Sequence, residues 1–591
     1  MRAFLTWILA LGLTAAPTMA RAGADGNGGS TAAKPGASAS AANEKDGSSE
    51  KPGPADKSDA RDANAPANSD AVSLEEQVQQ LRDLLAAQSK ELAETQDRVK
   101  AQQEKMQALE DRLSASGGGI ANPSATLPHL AEPVSGAATG AAEGGGASQS
   151  SQVSPLQLKL GSAFITPVGF MDFTSVWRNR DAGSGIGTNF AGIPYGGAGA
   201  YQTNLSETRF SMQNSRIGFR VDADVKGSHV IGYMESDFLG NNPSNVAVSS
   251  NSNTMRSRLY WVDVRKGGLE LLGGQTWSLA TPNRLGVSPL PGDVFFSYNM
   301  DVNYQLGMVW GRIPEFRVAY HFPGDKAAFA VALDSPDQYV GGTNGSAAIT
   351  PPACCTYYVG GQADNGTTTL GPPNRGPDVI AKFVVDPSKR LHAEVGGIAR
   401  FFELYNQTTT THFSTTGGSG FANLDFAVFN GFRLLTHNYW SDGGGRYIFG
   451  QAPDLIARAD GSPSLVHSGS TVDGVEFTRR NSSLFSYYGL AYISRNVAID
   501  TNGKPIGWGY VGAPSGQNRS IQEGTFGFSQ NFWKDPRYGA LSLIGQYSYL
   551  TRDPWSIATG SPKNAHASMA FLDLRYTLPG SAPTLGKPGK E

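Results

Sequence analysis

Between residues 215 and 238 apolar and polar side chains alternate with a period of two. Ile217, Phe219, Val221, Ala223 and Val225 fall on one side, and Arg216, Arg220, Asp222, Asp224 and Lys226 on the other. Such alternation belongs to a strand whose two faces meet different surroundings. After Lys226-Gly227-Ser228 it resumes, with Val230, Met234 and Phe238 opposite His229, Tyr233, Glu235 and Asp237. The stretch therefore predicts a hairpin with a very short turn. Its charged side faces either bulk water or the inside of an enclosure.

The same reading from residue 156 to 579 predicts about sixteen strands, at 164–177, 207–225, 229–238, 254–265, 269–277, 305–322, 326–334, 378–386, 390–403, 421–435, 438–449, 471–479, 484–495, 521–533, 540–551 and 567–578. Short turns such as Lys226-Gly-Ser and Lys534-Asp-Pro-Arg alternate with long connections at 179–206, 239–253, 335–377, 404–420 and 496–520. A transmembrane barrel sorts its connections in this way, with tight turns on one rim and long loops on the other, whereas a sandwich does not. The predicted fold is all-β, a transmembrane antiparallel β-barrel preceded by an α-helical coiled coil. In such a barrel the apolar face meets lipid and the charged face lines an aqueous lumen, which sixteen strands leave wide enough to conduct.

The pattern changes before residue 156. Residues 1–22 have the form of a secretory signal, with Arg2, an apolar run from Phe4 to Leu13, and Ala20-Arg21-Ala22 as a cleavage site. Residues 23–72 are Ala, Gly, Pro and Ser with almost no large apolar side chain, a composition that stays disordered. From Ser73, which opens an S-x-x-E capping box with Glu76, a heptad seam runs through Leu74, Val78, Leu81, Leu85, Leu92, Val99, Met106, Leu109 and Leu113, with Gln88, Thr95 and Gln102 between them. The segment 73–113 reads as a coiled coil of roughly 60 Å at about 1.5 Å per residue; a single solvated helix is the plainer alternative. Residues 114–155 form a second flexible linker and 580–591 a tail.

Composition narrows the function. Of 591 residues 17% are charged, with a net charge of −3, so nothing global points to nucleic acid. Gly 73 and 10% aromatic residues suit an all-β chain with long loops. No later stretch approaches the roughly 18 apolar residues of a spanning helix; a soluble exported protein and a membrane barrel both fit that. Gly507-Trp-Gly-Tyr-Val-Gly512 spells a dinucleotide pattern, but Pro505 and Pro514 flank it and no helix follows. The eight histidines are scattered, with no H-E-x-x-H and no serine elbow. The reading is not an enzyme, with no cofactor and no metal.

The segments "SETRFSMQNSRIGFRVDADVKG", "GGQTWS" at 273–278, "GRIPEFRVAYHF" at 311–322 and "GGGRYIFG" at 443–450 resemble the DcaP-like trimeric outer-membrane porins, and the signal, linker and coiled coil match their layout. The resemblance runs from Ser73 to about Pro579. It implies a sixteen-stranded barrel, a homotrimer, passive diffusion, and a preference for small anions such as dicarboxylates. One departure is visible: Tyr576 is followed by Thr577, Leu578, Pro579 and the tail rather than ending the last strand.

Porins select at a constriction by charge and width. Arg209, Arg216, Arg220, Arg258, Arg284, Arg317 and Arg400 are the pore-lining, solute-binding candidates, because arginine offers a permanent charge and a planar fork for carboxylates. Asp222, Asp224, Glu235, Asp237 and Glu394 lie on similar faces, so structural pairing across the wall is the competing role. The segment 279–303, stiffened by Pro282, Pro289 and Pro291, either folds into the lumen or forms an ordinary external loop. Adjacent Cys354 and Cys355 form a strained ring or pair between subunits. The expected partners are outer-membrane lipid, small solutes, further copies of the chain, and the cell wall through the N-terminal region. The expected location is the cell outer membrane, with the coiled coil in the periplasm. The rival reading is a structural envelope protein whose plugged or narrow barrel anchors that coiled coil to the cell wall.

Overall fold

The computed structural model describes residues 155–579, except 198–199, 241–252, 290–304, 343–346, 354–357, 360–361, 364–373 and 407, together with Gln79, Lys90 and Lys100. Those three are helical and exposed. The seam of the heptad, the signal, both linkers, the tail and the Cys354–Cys355 pair lie outside the described residues.

Sixteen wall strands follow one another around an antiparallel sheet. They are β1 (Ala163–Arg178), β2 (the two segments Glu207–Ser211 and Arg216–Val225), β3 (Ser228–Asp237), β4 (Arg256–Lys266), β5 (Leu269–Trp277), β6 (Arg312–His321), β7 (Ala327–Asp334), β8 (Asp378–Ser388), β9 (Leu391–Asn406), β10 (Thr411–Phe429), β11 (Phe432–Asp442), β12 (His467–Arg479), β13 (Ser482–Ile493), β14 (Asn518–Asp535), β15 (Gly539–Pro554) and β16 (Ala565–Thr577). β16 pairs back onto β1, with Phe170 opposite Thr577 and Arg178 opposite Met569, so the wall closes. A short strand, Leu158–Leu160, folds onto the start of β1.

The first hairpin shows how the sequence sets this wall. Arg216 stands opposite Asp237 and Val225 opposite Ser228. Lys226 and Gly227 turn the chain with φ of 51° and 75°, the left-handed pair whose twist matches the flanking strands. The expected alternation of short turns and long loops holds, with one correction. The connection expected at 404–420 is wall: β9 and β10 stay paired up to Asn406 opposite Thr411, and only 407–410 link them. Threonines and glycines there read as loop, yet threonine suits a strand. A related correction concerns 421–435 and 438–449. The turn falls at Asn430-Gly431, a hairpin dipeptide, so β11 ends at Asp442 and 443–449 leave the wall.

Side-chain exposure identifies the two faces. Phe173, Phe219, Val262, Phe316, Leu434, Phe526 and Leu574 point outward and are exposed, while Asp172, Arg220, Asp263, Arg317, Glu394 and Asp573 point inward and are buried. A belt of exposed apolar side chains around a closed sheet suits lipid, not water. The charged side of the first hairpin therefore faces the interior. In a background without Cys354 and Cys355, Asp222→Cys is expected to react with a water-soluble thiol reagent and Val221→Cys to resist it. The reverse pattern would invert the faces.

Candidate functional site

The lumen is crossed by the chain between β5 and β6. From Trp277 the backbone turns inward, and Leu279, Ala280, Thr281 and Asn283 are all buried. Lys382 on β8 donates to the Thr281 carbonyl at 2.9 Å and pairs with Glu394 on β9 at 2.8 Å. Glu394 also accepts from the Asn283 backbone N–H at 3.0 Å and from Asn423 at 2.8 Å. Farther on, the Gly286 N–H donates to Asp386 at 2.9 Å, and His392 lies between Asp386 and Glu394 at 2.8 and 3.1 Å.

Arg284 then reaches β12. It grips Glu476 with two parallel bonds of 2.7 and 2.6 Å, and the Tyr487 hydroxyl donates to the same carboxylate at 2.7 Å. Burial alone would lower the Arg284 pKa, but the Glu476 carboxylate raises it, so the guanidinium charge is permanent. After the undescribed stretch 290–304 the chain lies flat against the wall. A Cβ on Gly307 would meet the Thr471 carbonyl at 2.4 Å, and one on Gly489 would meet the Leu306 carbonyl at 1.9 Å. Only glycine permits that approach. Gly489 is on β13, eight strands around the wall from β5, so the described residues on either side of that stretch reach from β5 to the opposite side of the lumen. Of the two placements that the sequence allowed for 279–303, its described part takes the inward one.

A second inward excursion, 443–466, packs beside the first. Trp310 bridges to Ile448 and stacks on Phe449 at 4.4 Å. Arg400 on β9 holds this excursion, pairing with Asp378 at 3.0 Å and Asp454 at 2.8 Å and donating to the Gly443 carbonyl at 2.5 Å. Asp454 also caps the Tyr339 and Arg446 backbone N–H groups at 2.8 Å each.

The seven arginines singled out by sequence separate by exposure. Arg258 pairs with Glu235 at 2.6 Å and Asp237 at 2.8 Å; Arg317 pairs with Glu315 at 2.5 Å; both are buried, as is Arg400. Arg220 pairs with Asp222 at 2.6 Å, and Arg216 sits 3.8 Å from Glu235. Arg284 is a strut of the crossing segment. Arg209, beside Glu207 at 2.9 Å near the long-loop rim, keeps 45% of its side chain exposed, against 11% for Arg216. Lys382 and Glu476 escaped the sequence reading. Lys382 is the lone cation in the apolar run Val379-Ile-Ala-Lys-Phe-Val-Val385, and its inward parity was the available signal. The 507–512 glycine segment contributes to a loop hairpin, Asn496–Ile499 with Pro505–Trp508, not to a nucleotide site.

A closed barrel with an apolar outer belt and charged interior defines the class of membrane-spanning β-barrels. Within that class the chain is DcaP-like in fold. It is similar to the outer membrane channel DcaP of Acinetobacter baumannii, with a TM-score of 0.52 and 16% identity over 71% of this chain and 98% of that one. An anion-selective porin from Comamonas acidovorans gives 0.39 and 12% identity over 70% and 99%, and Pseudomonas putida OprB gives 0.37 and 11% over 70% and 94%. No family model and no curated protein matches the sequence.

Proposed function

We propose that this chain is an outer-membrane channel through which small hydrophilic solutes diffuse passively, with a preference for small anions such as dicarboxylates. The observation that carries the reading is the segment after β5, pinned across a charged interior by Lys382, Glu394 and the Arg284–Glu476 pair. A loop held in this way narrows an aqueous path and sets charges at the narrowest point, where low-dielectric walls focus their field. Arg209 and Arg216 are the members of the arginine set that solute meets; Arg220, Arg258, Arg284, Arg317 and Arg400 act through wall and loop pairing. The chain sits in outer-membrane lipid, and its N-terminal heptad serves trimer formation and contact with the cell wall from the periplasm.

Reversal potentials across a salt gradient test the selectivity. The unmodified channel is expected to prefer anions, and Arg209→Ser with Arg216→Ser to move the potential toward zero and weaken block by a dicarboxylate. Cation preference in the unmodified channel would overturn the anion reading. The second reading, a barrel that anchors the envelope without conducting, is favoured by the near-complete burial of Arg258, Arg317, Lys382 and Arg400.

A further inference from the structure

The short turns that close one rim of the barrel carry an excess of cations. Lys226 stands at the turn from β2 to β3, Lys266 at β4–β5, Lys326 at β6–β7 and Arg537 at β14–β15. The β8–β9 and β12–β13 turns each add an adjacent pair, Lys389-Arg390 and Arg479-Arg480. All of these side chains are exposed, and among the described residues none of them pairs with a carboxylate. The few acids beside them are already engaged. Asp325 holds Arg265 at 2.7 Å, Asp224 lies 2.9 Å from His229, and Asp535 accepts from the Arg537 backbone N–H at 2.7 Å. At strand ends on the opposite rim, by contrast, Arg178 and Arg209 share Glu207 at 2.8 and 2.9 Å, and Arg256 meets Asp237 at 2.7 Å. Charge at those strand ends is balanced locally.

Strand parity aims part of the excess at lipid. Arg479 follows Val475 and Phe477 on the outward face of β12, and Lys266 follows Val262 on that of β4. At roughly 3.4 Å per residue, Arg479 lies about 7 Å past Phe477, the depth of the headgroup layer beyond a hydrocarbon core. Aromatic side chains that mark this interface stand beside the cations: Tyr320 and Phe322 precede Lys326, and Trp533 and Tyr538 lie on either side of Arg537, all exposed. Turns this short end among the headgroups. What they meet there is phosphate, whose oxygens accept charge-assisted bonds from lysine and arginine.

We infer that the short-turn rim of the barrel binds the headgroup phosphates of anionic phospholipids through this ring of lysine and arginine. The inference rests on the reading of the chain as a membrane barrel and needs nothing from conduction. Basic side chains at a membrane surface attract anionic headgroups, and salt screens that attraction. A cell-wall polymer is the competing occupant. It would have to reach in among the headgroups to meet Lys266 and Arg479 on the lipid face of their strands.

Electron spin resonance of lipids spin-labelled on the acyl chain, with the full-length protein reconstituted in phosphatidylcholine vesicles, tests this. Labelled phosphatidylglycerol is expected to gather at the barrel severalfold over labelled phosphatidylcholine. That preference should collapse in the triple variant Lys266→Gln, Arg479→Gln, Arg480→Gln and persist in Arg458→Gln, Lys504→Gln, Arg519→Gln, which removes the same charge from the long-loop side. No preference in the unmodified protein, a preference kept by the folded short-turn variant, or equal loss in both variants would overturn the inference. Inorganic phosphate is expected to displace no more phosphatidylglycerol than chloride of the same ionic strength does; its abolishing the preference would make the rim a site for free phosphate and overturn the lipid assignment. Co-sedimentation with purified cell-wall sacculi that the short-turn variant loses, in the absence of any lipid preference, would assign the rim to the wall instead. If the short-turn variant lacks the heat-dependent gel mobility of a folded barrel, salt decides: the preference of the unmodified protein must fall from low to high salt, and its persistence overturns the inference. Conductance enters none of these readouts, so failure here leaves the channel reading standing.

Discussion

Arg284→Ala is expected to raise single-channel conductance severalfold, because this side chain ties the segment crossing the lumen to the far wall. Glu476 would be left buried without its cation, the Tyr487 hydroxyl still donating to it, and breaking one partner of a buried pair costs about 3 to 5 kcal/mol. That cost falls on the seated position of the segment, since wall pairing is untouched on both sides of it. Arg284→Lys would keep the charge but lose the paired bonds, so it should restore conductance only in part. Planar-bilayer recordings of the three proteins check the order. Equal conductances would mean that the segment does not set the width of the path.

Arg400→Ala is expected to give the largest loss of stability among single substitutions in the lumen. Arg400 is fully buried and faces two carboxylates, Asp378 and Asp454, together with the Gly443 and Asp337 carbonyls. Its removal leaves two buried acids short of their cation, again about 3 to 5 kcal/mol by the measure of broken buried pairs. Lysine cannot reach four acceptors from one point charge, so Arg400→Lys should rescue little. Thermal unfolding followed by loss of β-sheet circular dichroism reads the effect. An unchanged midpoint would show that the inward excursion 443–466 does not depend on this residue.

Much of the wall was legible because membrane barrels enforce alternation on every strand. The first hairpin, the closing strand and the strand count all followed from periods of two and from turn residues such as Lys226-Gly227. Strand ends near the long-loop rim were less legible. Thr411 to Gly420 lost their alternation because a strand that projects past the apolar belt no longer has a lipid side to mark. The interior was readable in kind but not in role. Charge on the inward face was plain from sequence, yet whether Arg258 or Arg209 meets solute depends on which acids stand opposite, and register across non-adjacent strands carries no local signal. The crossing segment was recognisable from its prolines and its place after β5. Its anchors, Lys382 and Glu476, lie more than ninety residues away and became partners only through closure of the wall.

The most direct test of the account is conductance of the purified full-length protein in a planar bilayer. Discrete, ohmic current steps, reduced by a small dicarboxylate and enlarged by Arg284→Ala, are the predicted result. A correctly folded and inserted barrel that passes no current, with or without Arg284→Ala, would contradict the channel.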